Sequence, residues 1–150
     1  MDIRLADLAD EAVRNLIRFH HEDMHASSPA GQAFAFDVDR LKAPGITVLA
    51  AYLDDELVGV GAVKVRDAEA ELKSMRTVPS RGRSGVGSML LAALSDTARG
   101  EGATVLMLET GSGAAFASAS AFYVKHGFLT CGPFADYEAS DFNCFMIKVL

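Results

Sequence analysis

The chain of 150 residues carries 14 Lys+Arg against 20 Asp+Glu, a formal net charge of −6, with 50% hydrophobic and 23% charged residues. That balance supports one packed core and excludes a disordered chain, and the acidic surplus argues against the basic stripe that nucleic acid requires. Two cysteines are too few for a disulfide framework. No run approaches the ~20 apolar residues of a membrane span, so the expected partners include neither nucleic acid nor membrane. The first residues hold Asp2, Arg4, Asp7, Asp10 and Glu11 rather than an export signal. The cytoplasm is therefore the expected location, with Cys131 and Cys144 as reduced core thiols.

Along the chain, Ile3 and Leu5 alternate with charges like an edge strand, and Leu8, Ala12, Leu16 and Phe19 follow at helical spacing. Residues 27 to 45 hold Ser27, Ser28, Pro29, Gly31, Pro44 and Gly45 around a short helical piece, Phe34 to Leu41. Three strands come next without an intervening helix, Ile46 to Leu53, Leu57 to Val65 and Glu69 to Val78, and these should pair antiparallel. Val86, Met89, Leu90, Ala93 and Leu94 then mark an amphipathic helix that ends at Gly100 and Gly102. Thr104 to Glu109 is a continuous apolar run of the kind covered on both faces. Phe116, Ala119, Phe122 and Tyr123 form another helical stripe stopped by Gly127, and strands near Phe128 to Cys131 and Phe142 to Val149 close the chain. This order predicts a mixed sheet with helices on both faces.

The chemically informative stretch is Arg81-Gly82-Arg83-Ser84-Gly85-Val86-Gly87-Ser88, set between a strand and a helix. A helix N-terminus offers unpaired amides and a positive dipole end, and glycine lets an anion approach the backbone. Together with Arg81 and Arg83 this reads as a site for a pyrophosphate, the plain alternative being a glycine-rich turn. No Gly-Lys-Ser/Thr follows Gly82, and Leu90 stands where a dinucleotide loop needs a third small residue, so ATP hydrolysis and NAD chemistry recede.

Gly85-Val86-Gly87 opening a helix, followed by Ala119 to Phe128 reading Ala-Ser-Ala-Phe-Tyr-Val-Lys-His-Gly-Phe, resembles the GNAT superfamily of acyl-CoA-dependent N-acyltransferases. Leu-Glu-Thr-Gly at Leu108 to Gly111 and Cys-Gly-Pro-Phe-x-Asp-Tyr at Cys131 to Tyr137, with Phe145-Met146, are similar to a bacterial subgroup of it. Two positions depart from the family pattern: Gly82 replaces an Arg or Gln, and Phe116 stands where many members place an asparagine. The resemblance covers about residues 46 to 150. It implies a mixed, mostly antiparallel sheet of about seven strands flanked by about four helices, in one domain over 1–150.

The resemblance further implies acetyl-CoA as donor, no metal, and an acceptor that is the primary amine of a small or amino-acid-like molecule, with a homodimer left open. Its cofactor residues would be Met75, Thr77 and Val78 on the strand and Arg83, Ser84, Gly85, Val86, Gly87 and Ser88 in the loop and helix. A strand amide between Met75 and Val78 would polarise the thioester carbonyl. Tyr123 would be the general acid, since a phenol of pKa ~10 donates a proton without being ionised at neutral pH. Glu71 would be the base, with Glu69 and Glu109 as alternatives and simple solvation of strand carboxylates as the plain reading. His20, His21 and His25 beside Glu22 and Asp23 lack a third ligand at metal spacing; they either line the acceptor cleft or face water. Arg76 either binds an acidic substrate group or faces water. A non-catalytic CoA-binding or regulatory module is the alternative function, and release of thiol from acetyl-CoA separates the two.

Overall fold

In the computed structural model, which describes residues 1–150, strand β1 (Asp2–Leu5) leads to helix α1 (Glu11–Ala26). The carboxylate of Asp10 accepts the Val13 amide at 3.1 Å, which satisfies one of the orphan donors and sets where the helix starts. Because the helical period counts from that cap, the buried stripe is Val13, Leu16, Ile17 and His20. The predicted stripe through Leu8, Ala12 and Phe19 is rotated from it: Leu8 precedes the cap, while Ala12 and Phe19 are exposed.

Residues 27–45 are irregular apart from a 3-10 turn at Arg40–Lys42, with Leu41 buried beneath it. Asp37 accepts the Arg40 amide at 2.9 Å, closing a local turn that competes with a longer helix. The helical piece predicted at Phe34 to Leu41 is thus only that turn. The structure has three α-helices rather than about four.

Strands β2 (Ile46–Leu53), β3 (Glu56–Arg66) and β4 (Glu69–Thr77) form the predicted meander. Asp54 and Asp55 turn the first hairpin with φ of 50° and 65°, the left-handed pair that a two-residue hairpin loop requires. Helix α2 (Val86–Gly100), strand β5 (Val105–Thr110), helix α3 (Ala117–Lys125) and strands β6 (Leu129–Cys131) and β7 (Cys144–Val149) follow. The seven strands lie in the order β1-β2-β3-β4-β5-β7-β6. Only the β4–β5 pairing is parallel. No helix is long and apolar enough to cross a membrane.

The sheet has a core on each face. Val48, Ala50, Val60 and Ala62 meet Val13, Leu16 and Ile17 of α1. On the other face Leu49, Val63, Leu72, Leu106 and Leu108 meet Leu90, Leu91 and Leu94 of α2 and Tyr123 of α3. Two glycines inside β3 bring α2 down onto the sheet: a Cβ at Gly59 would lie 2.9 Å from Leu90 Cδ1, and one at Gly61 would lie 2.7 Å from Leu94 Cδ1 and Met75 Sδ.

Two irregularities in β4 shape everything that follows. Between the pairs Ala62–Lys73 and Val60–Arg76 the strand holds one residue more than its partner, a bulge at which Ser74 adopts φ +54°. On the opposite edge, β4 and β5 pair only over Glu69–Glu71 with Val105–Met107, and then part. Beyond the parting, Gly111 ends β5 by passing between two rings, and a Cβ there would lie 2.4 Å from Phe142 Cζ and 2.7 Å from Phe116 Cε2. Stiff rings cannot yield cheaply to an added methyl, so Gly111→Ala is expected to lower unfolding stability by about 1–3 kcal/mol in urea titration.

Candidate active site

The parting of β4 and β5 opens a cleft of about 850 Å³, bounded at one end by the start of α2 and at the other by α1, the 27–45 segment and the loop after β6. At the α2 end, Gly85 takes φ +86° as the N-cap residue, and Arg83 takes φ +61° two residues earlier. The first backbone bond of the helix runs from Met89 to Gly85 at 3.1 Å, and no side chain caps the turn. The amides of Val86, Gly87 and Ser88 are therefore unspent donors at the positive end of a 15-residue helix.

Other expected contributors divide. A Cβ at Gly87 would lie 3.4 Å from the Phe122 ring, so glycine there keeps α3 close to the cradle. Ser84 gives both its amide and its hydroxyl to the Arg81 carbonyl and closes the turn itself. Arg81 pairs with Glu56 at 3.3 Å, while Arg83 has no ion-pair partner. Ser88 Oγ lies 3.0 Å from His126 Nε2, fixing the end of α3 against the start of α2. These atoms fit a phosphate-bearing ligand: free amides, an open left-handed glycine, and uncommitted positive charge.

Along β4, the Val78 amide donates to Val58 at 2.9 Å. Amides alternate in direction along a strand, so Thr77, and Met75 two residues before it, aim theirs at the gap where β5 has withdrawn. Val78 stands apart from the predicted set. Its amide is spent in the sheet and its side chain packs into the core under α1, because the bulge and the alternation turn it away from the cleft.

Tyr123 is 9% exposed and lines the cleft from α3. Burial raises its hydroxyl well above the usual phenol range, opposed by the positive charge of Arg76. The proton is thus held firmly, on a side chain whose ring is locked edge-on against Phe122 and Phe128.

On the α1 side of the sheet, Glu71 and Lys73 project together from β4, as strand alternation requires. Lys73 Nζ lies 3.0 Å from Glu71 Oε1 and donates to Tyr137 Oη at 2.6 Å. Tyr137 Oη in turn donates to Glu71 Oε1 at 2.5 Å. Lys73 also sits 4.1 Å from the centre of the Phe36 ring. Burial lowers the Lys73 pKa, with Glu71 opposing that shift, and burial followed by the Glu71 charge raises that of Tyr137. Glu109, at the end of β5, has no salt-bridge partner, and burial raises its pKa to about 7 against the pull of Lys73.

A second cluster lies further along β4. Arg76 donates through Nε to His20 Nδ1 at 3.0 Å and through Nη2 to Asp23 Oδ2 at 2.7 Å. His20 is 8% exposed, and burial, reinforced by Arg76, lowers its pKa to about 3. His20 therefore serves the guanidinium, while the His21 and His25 rings lie tilted against each other with centroids 4.4 Å apart. No group of three or more His, Cys, Asp or Glu side chains is placed to hold a metal ion. Reading along the sequence picked out Glu71 and Tyr123 but missed Lys73 and Tyr137. The signal for Tyr137 was the Cys131 to Tyr137 motif itself, which ends on the residue that reaches Glu71.

The chain has clear relatives. Residues 9–128 match the sequence pattern of the Acetyltransferase (GNAT) family. The uncharacterized N-acetyltransferase YsnE of Bacillus subtilis (strain 168) is 39% identical over 151 residues, covering 100% of both chains. The uncharacterized N-acetyltransferase YedL of Escherichia coli (strain K12) is 38% identical over 149 residues, covering 99% of this chain and 94% of that one. In fold, the PaiA N-acetyltransferase of Thermoplasma acidophilum, solved in complex with coenzyme A, superposes with a TM-score of 0.75 at 17% identity, covering 99% and 98% of the two chains. A sheet parted beside a helix N-terminus, with the Gly85 and Tyr123 motifs on either side, agrees with these likenesses: the chain belongs to the GNAT acetyltransferase family and is an acyl-CoA-dependent N-acyltransferase.

Proposed function

We propose that the enzyme transfers the acetyl group of acetyl-CoA to the primary amine of a small or amino-acid-like acceptor by direct attack, with Tyr123 as general acid. The observation that carries this reading is that one cleft holds the unspent amides of Val86 to Ser88 at one end, the buried Tyr123 hydroxyl beside it, and the unpaired Glu109 carboxyl at the other. The diphosphate of the donor would rest on the α2 amides, with Arg83 adding charge. The thioester would lie in the gap between β4 and β5, within reach of the Thr77 or Met75 amide.

An amine attacks only when neutral, and an alkylammonium holds its proton up to pH ~10.4, so a nearby acceptor is needed. Glu71, the base expected from the sequence, accepts from both Tyr137 and Lys73. Both contacts fall on Oε1, so Glu71 is engaged in holding those two side chains. Glu109, poised at about 7, is better matched to take the amine proton near neutral pH, while Glu71 fixes Lys73 and Tyr137 around it. As nitrogen bonds to the acyl carbon, a strand amide stabilises the negative oxygen. The carbon–sulfur bond then breaks, the departing sulfur takes the Tyr123 proton, and the proton that nitrogen sheds on becoming an amide returns to the Tyr123 oxygen. The dry surroundings that disfavour tyrosinate equally disfavour a bare thiolate.

The direct test is thiol release from acetyl-CoA with a panel of primary amines, with saturable release expected for at least one. Tyr123→Phe should lower kcat by about 100-fold or more while leaving CoA affinity within a few-fold, because a general acid acts only in the transition state. Gly85→Glu should do the reverse, weakening CoA binding in calorimetry by at least ~10-fold, roughly 1.4 kcal/mol, by placing a carboxylate and a strained left-handed residue at the cradle.

Glu109 must lose its proton to act, so activity should rise with pH through about 7. Its folded-state pKa lies above the unfolded value, so its contribution to stability is complete at acid pH and disappears as pH climbs through about 7. Glu109→Gln should therefore cut kcat about 100-fold and abolish that acidic limb. The same variant should be more stable than the parent at pH 8, by on the order of 1–2 kcal/mol, since the carboxyl keeps some contact with water.

A further inference from the structure

Arg76 stands on the α1 side of β4, just past the bulge, and its guanidinium borders the cleft. Its side chain is 20% exposed and held from two directions, Nε by His20 and Nη2 by Asp23, with the Phe19 ring centre 5.3 Å from Cζ. His20 is a nearly buried imidazole that stays neutral, so Nδ1 presents a lone pair and the tautomer is settled by the guanidinium it receives. A tie between α1 and the sheet would need only the Asp23 contact. The buried histidine adds a fixed plane for the guanidinium, and the hydrogen bonds leave Nη1 without a partner. Arg76 and Tyr123 line the same cleft.

Most other charges that line this end are matched in pairs, and the unpaired Arg40 stacks over the Phe36 ring outside the cleft lining. Lys73 is consumed by Glu71 and Tyr137, and Asp23 by Arg76, which leaves Glu109 as the unpaired acid and Nη1 of Arg76 as the uncommitted cationic donor. A molecule that complements both carries an amine and an acid together. Resting on the amine-acetylation reading above, we propose that Arg76 is a carboxylate-recognition subsite, so that the preferred acceptors are amines that also bear a carboxylate. A guanidinium immobilised before the ligand arrives loses little side-chain entropy on binding, and its planar fork suits a carboxylate better than a lysine would.

The test uses the full chain and acetyl-CoA with phenylalanine, leucine and glutamine, each compared with its decarboxylated amine and its methyl ester. For at least one of the three, kcat/KM for the acid should exceed that for both neutral partners by about 10-fold or more. Arg76→Gln should collapse that ratio toward one, mainly through KM for the acid. Because Arg76→Gln also loosens α1, Asp23→Asn provides the complementary arm. It removes the competing carboxylate and should keep or increase the preference. Equal or better turnover of the amines and esters, an unchanged ratio in Arg76→Gln, or a lost preference in Asp23→Asn would each overturn the subsite. Absence of thiol release with every amine, acidic or neutral, would instead remove the acetylation reading. Calorimetry of the CoA-bound protein with N-acetylphenylalanine and N-acetylphenethylamine then decides the subsite alone: tighter binding of the acid, lost in Arg76→Gln, supports it, and equal binding overturns it.

Discussion

The interrupted pairing of two neighbouring strands is the constraint from which the rest of the site follows. A parallel pair held by backbone bonds has no room between its strands for a ligand, so β4 and β5 must stop bonding before they can receive one. They do so after Glu71 and Met107. The bulge at Ser74 lets β4 keep its bonds to β3 while its course changes, and the glycines of β3 let α2 follow the sheet down. The cost is a set of unpaired strand amides. Buried backbone donors are rarely left orphaned, and a carbonyl supplied by a ligand is a natural partner for them.

Electrostatics divides the cleft into two ends of different character. At the α2 end the donors are mostly backbone amides and the dipole of a helix, with Arg83 adding an uncommitted charge. At the α1 end they are side chains, arranged as ion pairs in which most charges are neutralised by a near neighbour. Pairing of this kind lowers the penalty of holding ionised groups in a partly dry space. It also makes the few unmatched groups conspicuous, since a lone carboxyl raised to about 7 and a guanidinium nitrogen without a partner are the features a substrate can use.

The sequence was legible where periodicity and glycine spacing govern structure. Strands β2 to β5 and helix α2 lie within a residue or two of the predicted bounds, because apolar alternation, the Asp54-Asp55 turn and the Gly85 start leave little freedom. Helix α1 was placed correctly but rotated, since the cap at Asp10 resets the count that Leu8 suggested. The acceptor end resisted reading for a different reason. Tyr137 meets residues of β4 some 66 positions earlier, and Arg76 meets α1 across more than 50. No local pattern encodes such meetings. The resemblance places Val78 with Met75 and Thr77 at the cleft, whereas its amide bond to Val58 and its packing under α1 show that it belongs to the sheet.

The cradle at the start of α2 is made mainly of atoms that every amino acid possesses, with glycine demanded chiefly where Gly85 turns left-handed. On the proposed reading, substitutions elsewhere in that turn, Arg83 apart, would leave the grip on the donor largely untouched. The opposite end depends on particular side chains carried by two irregular connecting segments, 27–45 and 132–143, that lie outside the sheet. Drift in those segments can retune which amine is chosen while the donor chemistry stays fixed, so one scaffold can diversify its clientele without relearning how to hold its reagent.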